Sequence, residues 1–361
     1  MSGKKLYLAV TGHGFGHAVR VASVAAEIQK LNPELEIVFA TMAPEWLLRS
    51  YLTQKFIYRP QIFDVGVIQA DSLKMDKAAT LAKMQAIKAQ EIEIITREVA
   101  YLQEQNVGLI LGDIPPLVTK IAKAAGIPCW MMSNFGWDFI YRPWGKEFES
   151  IVAWIEECYA LCDRLFRLPL SEPMASFPNI QDVGLTGGTP KYSNDQLKAK
   201  YNISTPSEKT ILLTFGGLGL QAIPYQNLAR FPDWQFITFD RNAPDLPKLL
   251  KVSGAIRPVD FMPICGRVFS KPGYSTFAEA FRLDTPIVSL VRQGFAEAPI
   301  LLKALADYSP HQIISEAEFF DSNWDFLAQD LSPPRTDQKL DKNGTEAIAK
   351  EVVEFFQNTN C

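Results

Sequence analysis

The 361-residue chain has three histidines, and two of them, His13 and His17, fall in the run "TGHGFGHAVR" at 11–20. Gly12, Gly14 and Gly16 interleave them, so the backbone can bend tightly and leave room for a ligand beside the main chain. The run follows "KLYLAV", which reads as a buried strand, and leads into an apolar-periodic stretch, 17–30, which reads as a helix. His17 then occupies the first helical turn, where the positive end of the helix dipole disfavours imidazolium and leaves a neutral ring able to accept a proton. That is the state of a general base. A structural turn whose histidines bond to backbone is the competing reading for both residues. A neutral base works best when a carboxylate holds its other nitrogen. Asp113, directly after the strand-like run "VGLILG", is the candidate; capping the helix begun by Pro115 and Pro116 is its alternative role.

Two further strand-to-glycine turns carry possible chemistry. "TFGGLG", 214–219, exposes amides to a phosphate or to a neighbouring domain. In "SKPGYSTFAEA", 270–280, Pro272 and Gly273 end a strand, while Tyr274, Ser275 and Thr276 open a helix whose free N–H groups and hydroxyls suit an anion. Glu279, one turn on, is spaced to accept two hydrogen bonds from a vicinal diol such as a ribose. Pyrophosphate at the helix start and ribose a turn later make a nucleotide site, although an ordinary helix cap also accounts for Ser275 and Glu279. A dinucleotide fingerprint is the weaker rival for the opening motif. Its glycine spacing differs, and the second strand, "EIVFAT", ends in Thr41 where an acidic residue belongs. No Walker motif and no Asp-x-Asp triplet occur, so no metal and no cofactor are expected, and helix dipoles and Lys271 are left to carry a departing diphosphate.

The elements that must position these residues alternate in the manner of helix-covered parallel sheets. "KLYLAV", "EIVFA", "VGLILG" and "IPCWMM" read as strands of a first doubly wound unit, separated by helical stretches at 17–30, 43–53, 73–105 and in "PPLVTKIAKAA". "KTILLTFGG", "WQFITFD", "GRVFSKPG" and "TPIVSLV" restart the pattern. The expected division is 1–165 for a first Rossmann-like domain, 166–195 for a linker rich in Pro, Gly, Ser and Asn, 196–335 for a second Rossmann-like domain, and 336–361 for a helix that packs back. A net charge of −4 excludes a broad footprint for nucleic acid. Five scattered cysteines, Cys129, Cys158, Cys162, Cys265 and Cys361, contain no Cys-x-x-Cys pair and read as reduced thiols. No apolar run approaches the roughly 18 residues of a membrane span, and "MSGKK" does not begin a secretion signal, so a cytoplasmic protein is expected, with peripheral membrane contact left open.

These motifs resemble the GT-B glycosyltransferases, which have two doubly wound domains facing across a cleft. "GHGFGH" looks like the Gly-x-x-Gly-Gly-His loop of the peptidoglycan N-acetylglucosaminyltransferase, and "SKPGYSTFAEA" like the donor segment of that enzyme and of the UDP-glycosyltransferases. "VTGHGFGHAVRV", "NFGWDFIYRPW" and "RQGFAEAPILLKAL" are similar to the amino-terminal, glycosyltransferase-like region of plant L-arabinokinase. No sugar-kinase activity is carried over with that likeness. The resemblance implies an inverting, metal-independent transfer from a nucleotide diphosphate sugar, most simply a UDP-sugar, to the hydroxyl of a small-molecule or lipid-linked acceptor. It assigns the acceptor side to the first domain, with His17 as base aided by Asp113; beside it, the reading of the residues places His13, Gly14, Phe15, Gly16, Asn134, Trp137 and Asp138 on the acceptor side. It assigns the donor to the second domain, with Gly216, Gly217, Lys271, Gly273, Tyr274, Ser275 and Thr276 at the phosphates, Glu279 on the ribose and Glu297 near the sugar. Ala298 and Pro299 follow Glu297 where the family has its sugar-reading Gln. A sugar-nucleotide 2-epimerase and a non-catalytic nucleotide-sugar sensor are the alternatives on the same fold. The aromatics of "NFGWDFIYRPW" read either as an acceptor platform or as core.

Overall fold

The computed structural model describes residues 4–69, 75–216, 220 and 223–359. They form two compact units, one of 4–69, 75–186 and 343–359, the other of 187–216, 220 and 223–342. Strands of the first are β1 (Lys5–Val10), β2 (Ile37–Ala40), β3 (Ile57–Arg59), β4 (Val107–Asp113), β5 (Cys129–Ser133), β6 (Arg164–Arg167) and β7 (Ile180–Asp182). All pair in parallel, in the order β3-β2-β1-β4-β5-β6-β7. The central strands are apolar on both faces and buried throughout, as a sheet covered by helices on both sides requires. The chain builds outward from β1 to β3, then returns to lay β4 on the other side of β1. That reversal makes a crevice at the carboxyl ends of β1 and β4, where open parallel sheets take their ligands.

The second unit repeats the plan with β8 (Thr210–Leu213), β9 (Gln235–Thr238), β10 (Leu249–Lys251), β11 (Arg267–Ser270), β12 (Ile287–Leu290) and β13 (His311–Ile314). These are also all parallel, in the order β10-β9-β8-β11-β12-β13. Its reversal lies between β8 and β11, and Thr214 N–H, just past β8, bonds to Phe269 O in β11 at 2.9 Å. An aromatic core of Phe215, Phe236, Phe269, Phe319 and Trp324 covers one face.

Two stretches differ from their sequence reading. The segment 166–195, whose composition suggests a connection, contributes β7 to the first sheet, and a three-residue edge strand is too short to carry a periodic signal. The helix expected over 73–105 is two, Lys77–Ala89 and Glu91–Glu104, which meet at Gln90. The former packs on the helix Glu149–Tyr159 and the latter on Leu117–Ala125, so one straight rod could not serve both partners. The final helix, Gly344–Thr359, belongs to the first unit, where it lies against the helix Gly16–Leu31 and ties Glu351 to Arg164 at 2.5 Å and to Gln181 at 2.9 Å. Cys129, Cys158, Cys162 and Cys265 are unbonded and buried, and burial pushes the thiols of Cys158 and Cys162 up to about 12. Among the described residues no helix is long and apolar enough to cross a membrane, and no group of three or more His, Cys, Asp or Glu could hold a metal ion.

Candidate active site

Val10 and Asp113, the last residues of β1 and β4, are register partners, so the glycine turn and the carboxylate emerge side by side at the first crevice. Gly14 takes φ +60°, the left-handed backbone that the turn needs and that glycine adopts without steric cost. The helix begins at Gly16 and has neither a side-chain cap nor an acidic residue in its first turn. His17 lies in that turn with 7% of its side chain exposed. Its Nδ1 is 2.9 Å from Asp113 Oδ1, and Asp113 is wholly buried.

Arg20, the last residue of the opening run and given no role by the sequence, completes the arrangement. One helical turn beyond His17, on the same face, it donates Nε–H to Asp113 Oδ2 and Nη2–H to Oδ1, both at 2.5 Å. It also donates Nη2–H to Ser133 Oγ at 3.0 Å and Nη1–H to Asn134 Oδ1 at 2.8 Å. Burial pushes the Asp113 carboxyl up, but the charges of Arg20 and His17 and their hydrogen bonds outweigh it and hold the group below the usual carboxylate range. These contacts also settle the tautomer of His17. Although Nη2 lies 3.0 Å from Nδ1, its two protons are committed to Asp113 and Ser133, so Nδ1 must itself carry a proton and donate to Oδ1. Nε2 makes no hydrogen bond among the described residues, and in the neutral ring it is the nitrogen that carries the lone pair.

A second buried carboxylate, Asp64, holds the glycine turn from beneath. It accepts from Thr11 Oγ1 at 2.6 Å, Gly12 N–H at 3.3 Å and Trp137 Nε1–H at 3.0 Å. Burial pushes it up to about 7 against the pull of those donors, and the negative Asp113 adds to the rise. Nothing in the sequence around Asp64 advertises this role, since its partners lie 52 to 73 residues away.

Of the aromatic segment, Phe135, Trp137, Tyr141 and Trp144 are buried and Phe139 is half-buried. Trp137 and Tyr141 are fully buried and stacked with centroids 5.8 Å apart, and Trp144 is 6% exposed. Trp137 meets the rings of His13 at 5.4 Å, Phe135 at 5.2 Å and His17 at 5.9 Å, so it fixes the two histidines from the core side. His13 is half-buried, its Nδ1 3.2 Å from both the N and the O of Val67. Phe15 packs edge-on against the exposed Trp46 at 5.7 Å. Asn134 is 1% exposed and supports Arg20 instead of facing a ligand. Asp138 points elsewhere, accepting from Ser176 Oγ at 2.7 Å beside a pocket of about 510 Å³ lined also by Phe139, Arg142, Glu156 and Glu172.

In the second unit the crevice between β8 and β11 brings Gly216 and Lys271 together. Gly216 has φ +82°, and a Cβ there would meet Lys271 Cε at 3.4 Å. Gly217 lies outside the described residues. Gly273 precedes the helix Tyr274–Arg282, whose first turn, with half-buried Ser275 and Thr276, has no side-chain cap, so its amides point into the same crevice end of the sheet. Glu279 is 4% exposed, and its Oε1 accepts from Gly188 N–H at 3.0 Å. Glu297 opens the helix Glu297–Tyr308 and is 5% exposed. Nearby Arg292 is 4% exposed.

Comparison with known proteins agrees with this architecture. No family model matches the chain. It is 30% identical over 313 residues to L-arabinokinase of Arabidopsis thaliana, covering 83% of this chain and 29% of that protein, so it spans under a third of that relative's length. Solved structures of similar fold include Arabidopsis thaliana UGT89C1 complexed with UDP-L-rhamnose (TM-score 0.60, 16% identity, 98% and 95% of the two chains). Phytolacca americana UGT2 complexed with UDP-2-fluoro-glucose and pterostilbene is another (0.57, 11%, 98% and 94%). A putative UDP-N-acetylglucosamine 2-epimerase from Listeria monocytogenes is a third (0.57, 15%, 99% and 98%). With two parallel, doubly wound units and these neighbours, the chain has the GT-B fold.

Proposed function

We propose that the protein is an inverting glycosyltransferase that moves a sugar from a nucleotide diphosphate donor, most simply a UDP-sugar, to an acceptor hydroxyl without a metal ion. The observation that carries this reading is the state of His17. Its Nδ1 is paired with Asp113, its Nε2 makes no hydrogen bond among the described residues and is the nitrogen that would accept a proton in the neutral ring, and it stands at the carboxyl edge of the first sheet. A base so prepared takes the proton of a hydroxyl as that oxygen attacks the anomeric carbon, and the nucleoside diphosphate leaves with the electron pair of the broken glycosidic bond. Asp113 stabilises the imidazolium that forms, while Arg20 keeps Asp113 ionised and aimed.

The second unit takes the donor in this reading. The uncapped helix start at Gly273, with Ser275 and Thr276 and the ammonium of Lys271 beside Gly216, receives the departing charge as a fixed field of donors. This reading gives Glu279 to the ribose diol and Glu297 to the sugar.

Incubation with a panel of UDP- and GDP-sugars, with EDTA present, tests this by following binding, nucleotide release and the sugar product. Transfer, or slow donor hydrolysis with release of nucleotide, supports the proposal. Conversion of a donor to its C2 epimer would make the protein an epimerase, and tight binding with no turnover would make it a sensor.

A further inference from the structure

Three arginines are buried among the described residues, Arg20 at 2%, Arg257 at 4% and Arg292 at 4% exposed. Two of them present the same edge of the guanidinium, Nε and Nη2, to a carboxylate of this chain. Arg20 grips Asp113 at 2.5 and 2.5 Å, and Arg257 grips Asp260 at 3.2 and 2.6 Å. In Arg292 that edge is buried too, yet neither Nε nor Nη2 has a hydrogen-bond partner. The side chain is otherwise well anchored, its Cζ stacked 4.0 Å over the ring of Phe295. Burial pulls the guanidinium down to about 10 despite the attraction of Glu297, a sign of how poorly its charge is served.

The location of Arg292 gives this shortfall a direction. The residue stands two positions past the end of β12, beside β11, the strand that leads into Lys271 and Gly273. The flanking Gln293 and Gly294 are exposed, so the loop that carries it reaches the surface at the carboxyl edge of the sheet. A buried guanidinium short of two acceptors on one edge fits a group with two oxygens side by side, held by parallel N–H···O bonds.

We propose that the Nε/Nη2 edge of Arg292 is a binding site for an oxyanion of the ligand taken by the second unit, a carboxylate or a phosphate. The identity of the anion rests on the nucleotide-sugar reading. It is either the diphosphate or an acidic group on the transferred sugar. Because Arg292 lies one strand beyond the helix start that suits the diphosphate, a uronic acid donor is the source to test first.

Calorimetric titration of the wild type, Arg292→Gln and Arg292→Lys with UDP, UDP-glucose, UDP-glucuronate and inorganic pyrophosphate separates the sources. Lysine keeps the charge but loses the fork, so both variants are expected to weaken binding of the recognised anion about tenfold or more. A loss confined to UDP-glucuronate identifies the carboxylate. An equal loss for UDP, UDP-glucose and pyrophosphate identifies the phosphates. Pyrophosphate binding that depends on Arg292, with no affinity for any uridine compound, would end the nucleotide-sugar reading and leave this one standing. Thermal melting without ligand is a second readout, and Arg292→Gln should melt close to wild type, since the Nε/Nη2 edge it removes makes no hydrogen bond in the fold. Variants that bind every probe as wild type does, a wild type that binds none, or a glutamine variant that melts far below wild type would each overturn the assignment.

Discussion

Arg20 grips Asp113 through two N–H···O contacts of 2.5 Å, Nε to Oδ2 and Nη2 to Oδ1, with the carboxylate fully buried. The pair is a foundation on which His17 rests, because Asp113 can hold Nδ1 only while something else keeps it charged in the interior. Removing one partner of a buried ion pair strands the other, which costs about 3–5 kcal/mol. Arg20→Met keeps the bulk and removes the charge, so denaturant unfolding should show a loss of that order. Arg20→Lys should recover part of the stability but not the two-pronged geometry. A midpoint for Arg20→Met equal to wild type would show that the pair is not structural.

His17 separates base chemistry from binding. If Nε2 takes the acceptor proton, His17→Ala should lower turnover by roughly a hundredfold or more. Donor affinity, assigned to the other unit, should be nearly unchanged. Steady-state kinetics with a donor found active in the sugar panel, alongside calorimetric donor binding, checks both halves. A parallel fall in donor affinity would speak against the role.

The strand-turn-helix units were legible because they are local, and the pairing of His17 with Asp113, 96 residues apart, because both follow directly after strands of one parallel sheet. A strand ends, glycines follow, and a polar residue at the next position must lie on the sheet rim. Arg20 was legible in principle, three residues past His17 on one helical face, but buried arginines are rare enough that sequence reading passes over them. Asp64, Ser133 and Gly66 were not. Each acts on a partner brought near by the sheet order, and no spacing rule reaches from 64 to 137. Trp137 shows the opposite failure, since a cluster of aromatics at helical spacing gives no hint whether its rings face a ligand or the core.

Asp64 makes stability depend on pH in a window of its own. In the folded chain the carboxyl is raised to about 7, and in the unfolded chain it titrates near its ordinary value of 3.8. The folded state therefore binds this proton more tightly, so its contribution to stability declines as pH rises from about 4 to about 7 and is lost above that, on the order of 4 kcal/mol in all. Asp113 works in the other sense. Its lowered value stabilises the fold above the ordinary carboxylate range and is lost only as pH falls through that lower value. Unfolding free energies measured from pH 3 to 8 should thus flatten between 4 and 7 in Asp64→Asn, with the acid limb unchanged. An unaltered slope in that variant would remove Asp64 as the cause.

Gly66 and Gly126 give a matched test of how tightly the histidine turn is packed. Both have left-handed backbone, φ +54° and +67°. A Cβ on Gly126 would meet nothing within 4 Å, so Gly126→Ala should cost only the left-handed strain, about 1–2 kcal/mol. On Gly66 the same atom would lie 2.3 Å from His13 Cβ and 2.9 Å from Trp137, and Gly66 O also accepts from the Tyr141 hydroxyl. His13 and Trp137 would have to move, adding roughly 1–3 kcal/mol of overpacking to the strain. Because Trp137 also meets the ring of His17, the displacement should reach the base, and Gly66→Ala should lose turnover where Gly126→Ala keeps it. Equal stability losses in the two variants would mean that the turn yields freely, and that His17 is held by Asp113 and Arg20 alone.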